Sequence, residues 1–336
     1  MSGLVSILIP AYRAERWIRE TIASAASQTW RNKEIIVVDD GSPDGTFDAA
    51  RSMESPDIKV VRQANTGACG ARNRLLSLAQ GDYIQWLDAD DLLHPEKISR
   101  QLVAAEDGTK SLTLLTCAWG KFFFRTERAE FTRDGLWRDL EPVDWIVTKF
   151  AENVWMNPAV WLVSRRLTDL AGPWDERLTI SGDDDGEYVC RVVARSAGVH
   201  FVEDASCYYR IGNVGSLNWN MEKSDKSLGA LVLSLKLTIG HLLGMEDSER
   251  TRSAAIRYLH HFLPYFYGAP DEPFRDLAEI ASAIGGELKP PTSGWKYYPV
   301  ELAFGPRVTR KVINNWRAAK MLARGKWDRY LYRLTR

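Results

Sequence analysis

The stretch Gly81-Asp82-Tyr83-Ile84-Gln85-Trp86-Leu87-Asp88-Ala89-Asp90-Asp91 decides the fold. Its first half alternates as a buried strand does, and its end gathers three carboxylates. Like charges at a strand end repel and are costly to strip of water, so they call for a compensating group. Mg²⁺ or Mn²⁺ is the usual one, since such hard cations take one or two protein carboxylates together with phosphate oxygens. The plainer reading is a solvated acidic turn before a helix starting near Pro95, with Asp91 as its cap. Neighbouring segments choose between the two.

Working outward, Leu4 to Pro10 is a short buried strand closed by proline. An amphipathic helix follows, with Trp17, Ile18, Ile22 and Ala25 on one face and its end near Gln28. Glu34 to Val38 is a second β-branched run, stopping on Asp39-Asp40-Gly41-Ser42. Turn residues Pro43 to Thr46 lead into a helix through Met53; Ile58 to Val61 is a third strand, and Gly70 to Ala79 a third helix. This alternation predicts an α/β fold: a doubly wound, mostly parallel sheet with helices on both faces. Ligands of such sheets sit outside the carboxyl ends of the strands, so Pro10, Asp40 and Asp88 are expected to line one crevice.

Four segments, "SILIPAYRAERWIRETIASAASQTW", "EIIVVDDGSPDGT", "NTGACGARN" and "GDYIQWLDADD", resemble in order and spacing the signatures of glycosyltransferase family 2, which has the GT-A fold. The resemblance covers about residues 4–95, with further matches to about residue 217. It implies an inverting transferase that uses a nucleotide-diphosphate sugar, with uridine the foremost base, and a divalent metal. On that resemblance Pro10 and Tyr12 lie against the base and Asp40 accepts a hydrogen bond from it. Asp88 holds the ribose or a metal-bound water, and Asp90 coordinates Mn²⁺ or Mg²⁺ between the two phosphates.

The residue types suit those roles. Tyr12 beside Pro10 offers a flat platform, or simply packs under the first helix. An ionised Asp40 only accepts, as the N–H edge of a base requires. Of the Asp39–Asp40 pair, Asp39 is the one expected to cap the turn at Gly41-Ser42. Arg72 either approaches a phosphate or pairs with a carboxylate of its own domain.

Further along, Asn157 to Val163 and Ala171 to Glu176 resemble the family's "NPAVWLVSRR…GPWDE" segment under the acceptor side, which Trp155 and Asn157 would serve. Ser181-Gly182-Asp183-Asp184-Asp185-Gly186-Glu187-Tyr188, with Arg191 in step, resembles the Glu-Asp-x-Glu/Asp…Arg motif. In that register Asp184 replaces the usual Glu and Asp185 is the catalytic base. Inversion by single displacement needs one such base to take the acceptor's hydroxyl proton. The plainer reading is that three aspartates cap a helix, and one or two of them do only that.

Two departures qualify the resemblance. Where the family often has a metal-binding His, Tyr208-Tyr209-Arg210-Ile211 is followed by Gly212; either the metal has one protein ligand fewer, or Asn213 substitutes weakly. The Gln-x-x-Arg-Trp pattern of processive synthases is missing, so transfer of one sugar or a short series is expected. His94 reads as part of a helix entry.

The remaining chain bounds the setting. Its 336 residues carry zero net charge, which gives no reason to expect nucleic acid as a partner. Cys69, Cys117, Cys190 and Cys207 have no close pairing and read as reduced, buried thiols. With a strand already at residue 4, no signal peptide is expected, and the expected location is cytoplasmic, with peripheral attachment to the inner membrane face left as one alternative for the tail. Arg125 to Arg138 reads as a solvent-facing loop or hairpin. Residues 1–220 form the catalytic domain, with a nucleotide-sugar half at about 1–95 and an acceptor half at 96–220.

Residues 221–336 are expected to be a helical region that packs on the body or serves a homodimer. The apolar segment Lys226 to Met245 contains Lys236 and His241 and reads as a buried helix. Arg252 to Tyr267 is another helix, and Pro264, Pro270, Pro273, Pro290 and Pro291 mark loops. From Arg307 to Arg336 ten Lys or Arg stand against one acid, Asp328, with Trp316, Trp327, Tyr330 and Tyr332 interleaved. That tail is a membrane-surface contact, a helix folded back on the body, or an oligomer contact. Of the 13 tryptophans, some are expected to stack on sugar rings, with Trp155 and Trp161 nearest the named motifs, and most are expected in the core.

The function expected is sugar transfer from a nucleotide-diphosphate sugar to a hydroxyl of a surface-glycan or lipid-linked acceptor. A sugar-phosphate nucleotidyltransferase is disfavoured, because "IPAYRAERW" lacks a Gly-rich phosphate loop. A non-catalytic nucleotide-sugar or glycan-binding module on the same fold is the alternative of another class.

Overall fold

A computed structural model describes residues 3–105, 112–212, 225–266, 271–289 and 298–334. The β-branched runs form β1 (Val5–Ala11), β2 (Lys33–Asp39) and β3 (Ile58–Arg62), and the segment before Asp88 forms β4 (Tyr83–Trp86); β3, β2, β1 and β4 pair in parallel in that order. Buried on both faces, such strands need near-continuous apolar sequence, and Ile7, Leu8, Ile9, Ile35, Ile36, Val37 and Val38 supply it. The helices between them are α1 (Ile18–Ala26), α2 (Thr46–Arg51) and α3 (Gly67–Leu78). On α1 the expected face of Ile18, Ile22 and Ala25 is fully buried.

After β4 come β5 (Leu92–Leu93), α4 (Lys97–Ala104), β6 (Thr113–Phe122), β7 (Glu130–Phe131), α5 (Pro142–Glu152), β8 (Leu162–Ser164), α6 (Arg165–Ala171), α7 (Asp184–Arg195) and β9 (Gly198–Arg210). The nine-stranded sheet runs β3-β2-β1-β4-β8-β6-β9-β5, with β7 paired to β6. β8 joins β4 and β6 antiparallel, while the long β6–β9 ladder is parallel, with a register shift between Cys117 and Ala118. The expected mostly parallel α/β sheet is therefore present. The carboxyl ends of β1, β2 and β4 place Pro10, Asp40 and Asp88 at the same edge of the sheet.

Four helices follow: α8 (Asp225–Met245), α9 (Glu249–Phe266), α10 (Asp271–Ala283) and α11 (Tyr298–Leu334), the last kinked at Gly305 with φ 74°. By length and composition alone α8 could cross a membrane. Its Leu228, Leu231, Leu235, Ile239 and Leu242 are instead buried, and it packs on α5, α7, α9 and α10. The domain boundary expected near residue 220 falls outside the described residues, as do Asn213, Pro270, Pro290 and Pro291.

Several local expectations need correction. Pro264 lies inside α9 and Pro273 inside α10, not in loops. Within the first turn of α10 a missing N–H leaves no intrahelical bond unmade, which explains the tolerance of Pro273. β7 makes a hairpin with β6, but Leu136 and Arg125 turn inward, so the Arg125–Arg138 stretch does not simply face solvent. Asp91 does not cap α4, whose first residue is Lys97 and whose cap position is Glu96. Trp161 is fully buried in the core and cannot stack on a sugar. All four cysteines are free and buried.

Candidate functional site

The site forms where the β4 end, α3, α7 and the β9 end meet. Asp88 and Asp90 are half-buried there, while Asp91 is fully buried. Asp91 Oδ1 accepts the Arg210 backbone N–H at 2.8 Å, and its Oδ2 has no partner among the described residues. Burial, and then the charges of Asp90 and Asp88, push its carboxyl well above the usual range.

Arg210 fixes this loop. Its guanidinium donates to the Asp90 carbonyl at 2.7 Å, the Phe123 carbonyl at 2.9 Å and Glu20 Oε2 at 2.9 Å, wedged between the rings of Trp17 and Phe122. Every contact is to a residue far away in sequence, so nothing in "YYRIG" announced it.

Asp40 is only 2 % exposed. Its Oδ1 accepts from Gln63 Nε2 at 2.8 Å and the Thr66 N–H at 2.9 Å, and its Oδ2 accepts the Gly67 N–H at 2.8 Å. It therefore holds the start of α3, which begins three residues earlier than the expected Gly70. Asp39 accepts the Ser42 N–H at 3.3 Å and pairs with Arg62, the turn role expected of it. Tyr12, 39 % exposed, is not packed away under α1; it lies beside the half-buried Pro10, with the Arg13 guanidinium 5.3 Å from its ring.

Arg72 joins the two acidic segments. Nη1 donates to Asp184 Oδ2 at 2.5 Å, and Nη2 stands 3.4 Å from Asp88 Oδ1. The guanidinium lies 4.3 Å over Trp174, which stacks on Tyr188 at 3.9 Å. Asn73 brackets the Trp174 backbone, donating to its carbonyl at 3.0 Å and accepting its N–H at 2.8 Å. "GARN" and "GPWDE" are thus two sides of one joint. The partner of Arg72 is not confined to its own half of the chain, since Asp184 opens α7.

The three aspartates at the α7 start have separate fates. Asp183 is buried, accepting Ser234 Oγ at 3.1 Å and Tyr258 OH at 3.3 Å; burial pushes its carboxyl up to about 6. Asp184 pairs with Arg72. Half-buried Asp185 accepts the Gly186 N–H at 2.8 Å, and its carboxyl is pushed up to about 8 by burial, then by Asp184 and Asp183. Asp88 contributes to that rise, which places the two segments within electrostatic reach. Arg191 forks onto Glu187 at 2.9 and 3.0 Å and ties α7 to the Ala171 and Pro173 carbonyls.

On the acceptor side, Trp155 meets Tyr209 edge-on at 4.8 Å and Trp119 at 5.4 Å. A cavity of about 290 Å³ opens beside them, lined by Trp119, Lys121, Asp134, Glu152 and Trp155 among others. Tyr209 was not anticipated; burial and the surrounding Asp91, Asp90 and Asp88 raise its hydroxyl pKa, so it faces the acidic loop. Asn157 is fully buried instead of lining this side: its Oδ1 accepts the Ala159 N–H at 3.0 Å and caps a short turn.

The donors at the β4 end are hard oxygens, which suit Mg²⁺ or Mn²⁺. Among the described residues no three His, Cys, Asp or Glu side chains converge as a cage. The segment therefore fits a cation that draws its remaining ligands from substrate and water. Gly212 has φ +80°, and a Cβ there would come within 2.9 Å of the Phe123 ring. A histidine at this position would require the ring to move, so its absence belongs to the packing.

The model described as "Glycosyl transferase family 2" matches residues 6–138. The Escherichia coli protein named "UDP-Glc:alpha-D-GlcNAc-diphosphoundecaprenol beta-1,3-glucosyltransferase WfaP" is 44% identical over 100 residues, 30% of this chain and 40% of that protein. The chain spans about two fifths of the length of the curated relatives it matches. S. aureus TarS 1-349 in complex with UDP-GlcNAc superposes with TM-score 0.62 at 17% identity, covering 83% of both chains. The mannosyltransferase PcManGT of Pyrobaculum calidifontis, in complex with GDP-Man and Mn2+, gives 0.53 at 18% identity, covering 98% of this chain and 88% of that one. At such identities the likeness is one of fold, and that fold is GT-A.

Proposed function

We propose that this chain, a glycosyltransferase of family 2 by its residues 6–138, moves a sugar from a UDP-sugar to a hydroxyl of a surface-glycan or lipid-linked acceptor, with inversion, on the cytoplasmic side of a membrane. The observation that carries this reading is the Arg72 joint, which sets Asp88 and Asp184 on one guanidinium and so brings donor-side and acceptor-side carboxylates together.

In this reading Tyr12 and Pro10 face the base, and Asp40 shapes the pocket wall chiefly by fixing α3. Asp90 and Asp88 would hold Mn²⁺ or Mg²⁺, which when bound neutralises charge on the departing diphosphate. Arg210 keeps the Asp90 backbone in place for that task. The acceptor enters past Trp155 and Tyr209. Asp185 takes the proton from its hydroxyl while the oxygen bonds to the anomeric carbon from the face opposite the diphosphate. The carbon–oxygen bond to the diphosphate breaks, and UDP leaves with the electron pair. A carboxyl raised toward neutrality is well matched to this proton transfer.

Gly212 and the lack of a three-ligand cage among the described residues equally suit a non-catalytic nucleotide-sugar-binding module on the same fold. The test is thermal stabilisation by UDP, GDP, dTDP and ADP, each with and without Mn²⁺, on wild type and Asp90→Ala, followed by donor hydrolysis. A Mn²⁺-dependent shift with UDP, lost in Asp90→Ala, is expected together with slow release of sugar. An equal shift in both proteins removes the metal assignment. A shift without any hydrolysis or transfer turns the reading to the binding module.

A further inference from the structure

Helix α11 is fastened to the body along one face. Asp328, the sole acid from Arg307 to Arg336, accepts Arg125 Nε at 2.8 Å, Arg125 Nη2 at 2.6 Å and the Phe124 N–H at 3.1 Å. Both partners of this ion pair are mostly buried. The Tyr332 ring lies 6.0 Å from Phe124, and Gly325 faces Phe123 closely. These residues share the inward side, and Phe123 in turn accepts from Arg210, which holds Asp90.

The other side is turned to solvent. Val308, Val312, Trp316, Trp327, Tyr330 and Leu334 are 43–64% exposed. At 100° per residue they fall within an arc of about 100°. Exposed Lys320 and Arg324 flank one edge of the arc, and exposed Lys326, Arg329 and Arg333 flank the other. Arg329 and Arg333 also approach Arg16, whose pKa is lowered by burial and then by Arg329, Arg210 and Arg333. Positive charge thus accumulates around an aromatic stripe, and the one acid between Arg307 and Arg336, Asp328, is turned inward.

A soluble partner helix seldom leaves two tryptophans so exposed, and a second copy of this equally basic surface would oppose like charge with like. An anionic lipid surface satisfies both features, taking Trp and Tyr at headgroup depth and the flanking cations against phosphate. We infer that α11 lies in the plane of an anionic membrane surface, its stripe from Val308 to Leu334 sunk among the headgroups and its Asp328 face holding the body there. This does not rest on the transferase reading, and its test involves neither donor nor acceptor.

The full chain is sedimented with vesicles of phosphatidylcholine alone or with about 30 % phosphatidylglycerol, at low and high salt. Binding is expected only to the anionic vesicles and is weakened by salt. Trp316→Ala/Trp327→Ala/Tyr330→Ala should lower partitioning at least about tenfold. Lys320→Gln/Arg324→Gln/Lys326→Gln should lower it about a hundredfold, roughly fivefold per charge. Should the aromatic variant melt early, quenching of wild-type tryptophan fluorescence by brominated anionic lipid replaces it, and strong quenching is expected. Equal binding to both vesicle types, no quenching, or a wild-type dimer that the aromatic variant dissolves would overturn the inference.

Discussion

The two acidic segments, Asp88-Ala89-Asp90-Asp91 and Asp183-Asp184-Asp185, look alike in sequence and divide their labour in the same way. Each surrenders one member to the fold: Asp91 to the Arg210 backbone, Asp183 to Ser234 and Tyr258. Each gives one to Arg72: Asp88 and Asp184. The third member of each enters the proposed chemistry directly, Asp90 together with Asp88 at the cation and Asp185 as the base. They differ in place. The first segment ends a strand and is fastened by β9, whereas the second opens a helix, whose amino terminus favours negative charge. Aspartates clustered in sequence are therefore not interchangeable; burial and one shared arginine sort them.

The comparison is broken most directly at Asp185 against Asp184. Asp185→Asn should lower kcat by about 10²–10⁴-fold while donor affinity stays within about twofold. Asp184→Asn, which disturbs the Arg72 joint and removes one of the charges that raise the Asp185 carboxyl, should cost less. Wild-type turnover in Asp185→Asn would move the base elsewhere. The pH profile sharpens the same point. Asp185 must be deprotonated to accept a proton, and its carboxyl is pushed up to about 8, so kcat/KM should rise with pH along an acid limb near that value. A bound cation favours the ionised form and moves the limb lower.

A smaller effect is expected at the shared residue. Arg72→Met leaves Asp88 and Asp184 without their common cation in a largely buried site, a loss on the order of 3–5 kcal/mol in stability. Arg72 also lowers the Asp185 carboxyl, so its removal should move the acid limb upward. Urea unfolding and the kcat/KM profile of this variant test both statements. An unmoved limb would mean that the two segments do not communicate through Arg72.

Much of this was legible because it is local. β1 to β3 follow from β-branched runs, β4 from the pattern before Asp88, and the buried face of α1 from the spacing of Ile18, Ile22 and Ala25. What the residues could not announce is long-range. Arg210, Trp174 and Tyr209 acquire their roles from partners on other elements. Trp161 and Asn157 lie beside plausible motifs yet are buried, because Asn157 caps the short turn at Pro158–Val160 and Trp161 follows that turn directly before β8. Asp40 shows a subtler limit: its motif suggested a ligand contact, but the N–H groups at the start of α3 claim it.

The smallest effect concerns Asp183, the member given to the fold. Burial pushes its carboxyl up to about 6 in the folded chain, against 3.8 as the ordinary value. Between those values the folded state binds more protons than the unfolded one, so this group's contribution falls as pH rises from about 4 to 6 and stays low above that. The gap corresponds to at most about 3 kcal/mol. Asp183→Asn keeps an oxygen to accept from Ser234 and Tyr258 but carries no charge. Relative to wild type, the variant should therefore gain stability as pH rises from 4 to 7, with most of the gain complete by about 6.5. Urea midpoints at constant m value measure the difference between the two proteins, in which the other carboxylates cancel. A pH-independent difference would show that Asp183 is not held against its ionisation, and the division between a fold-bearing and a reacting aspartate would fail at α7.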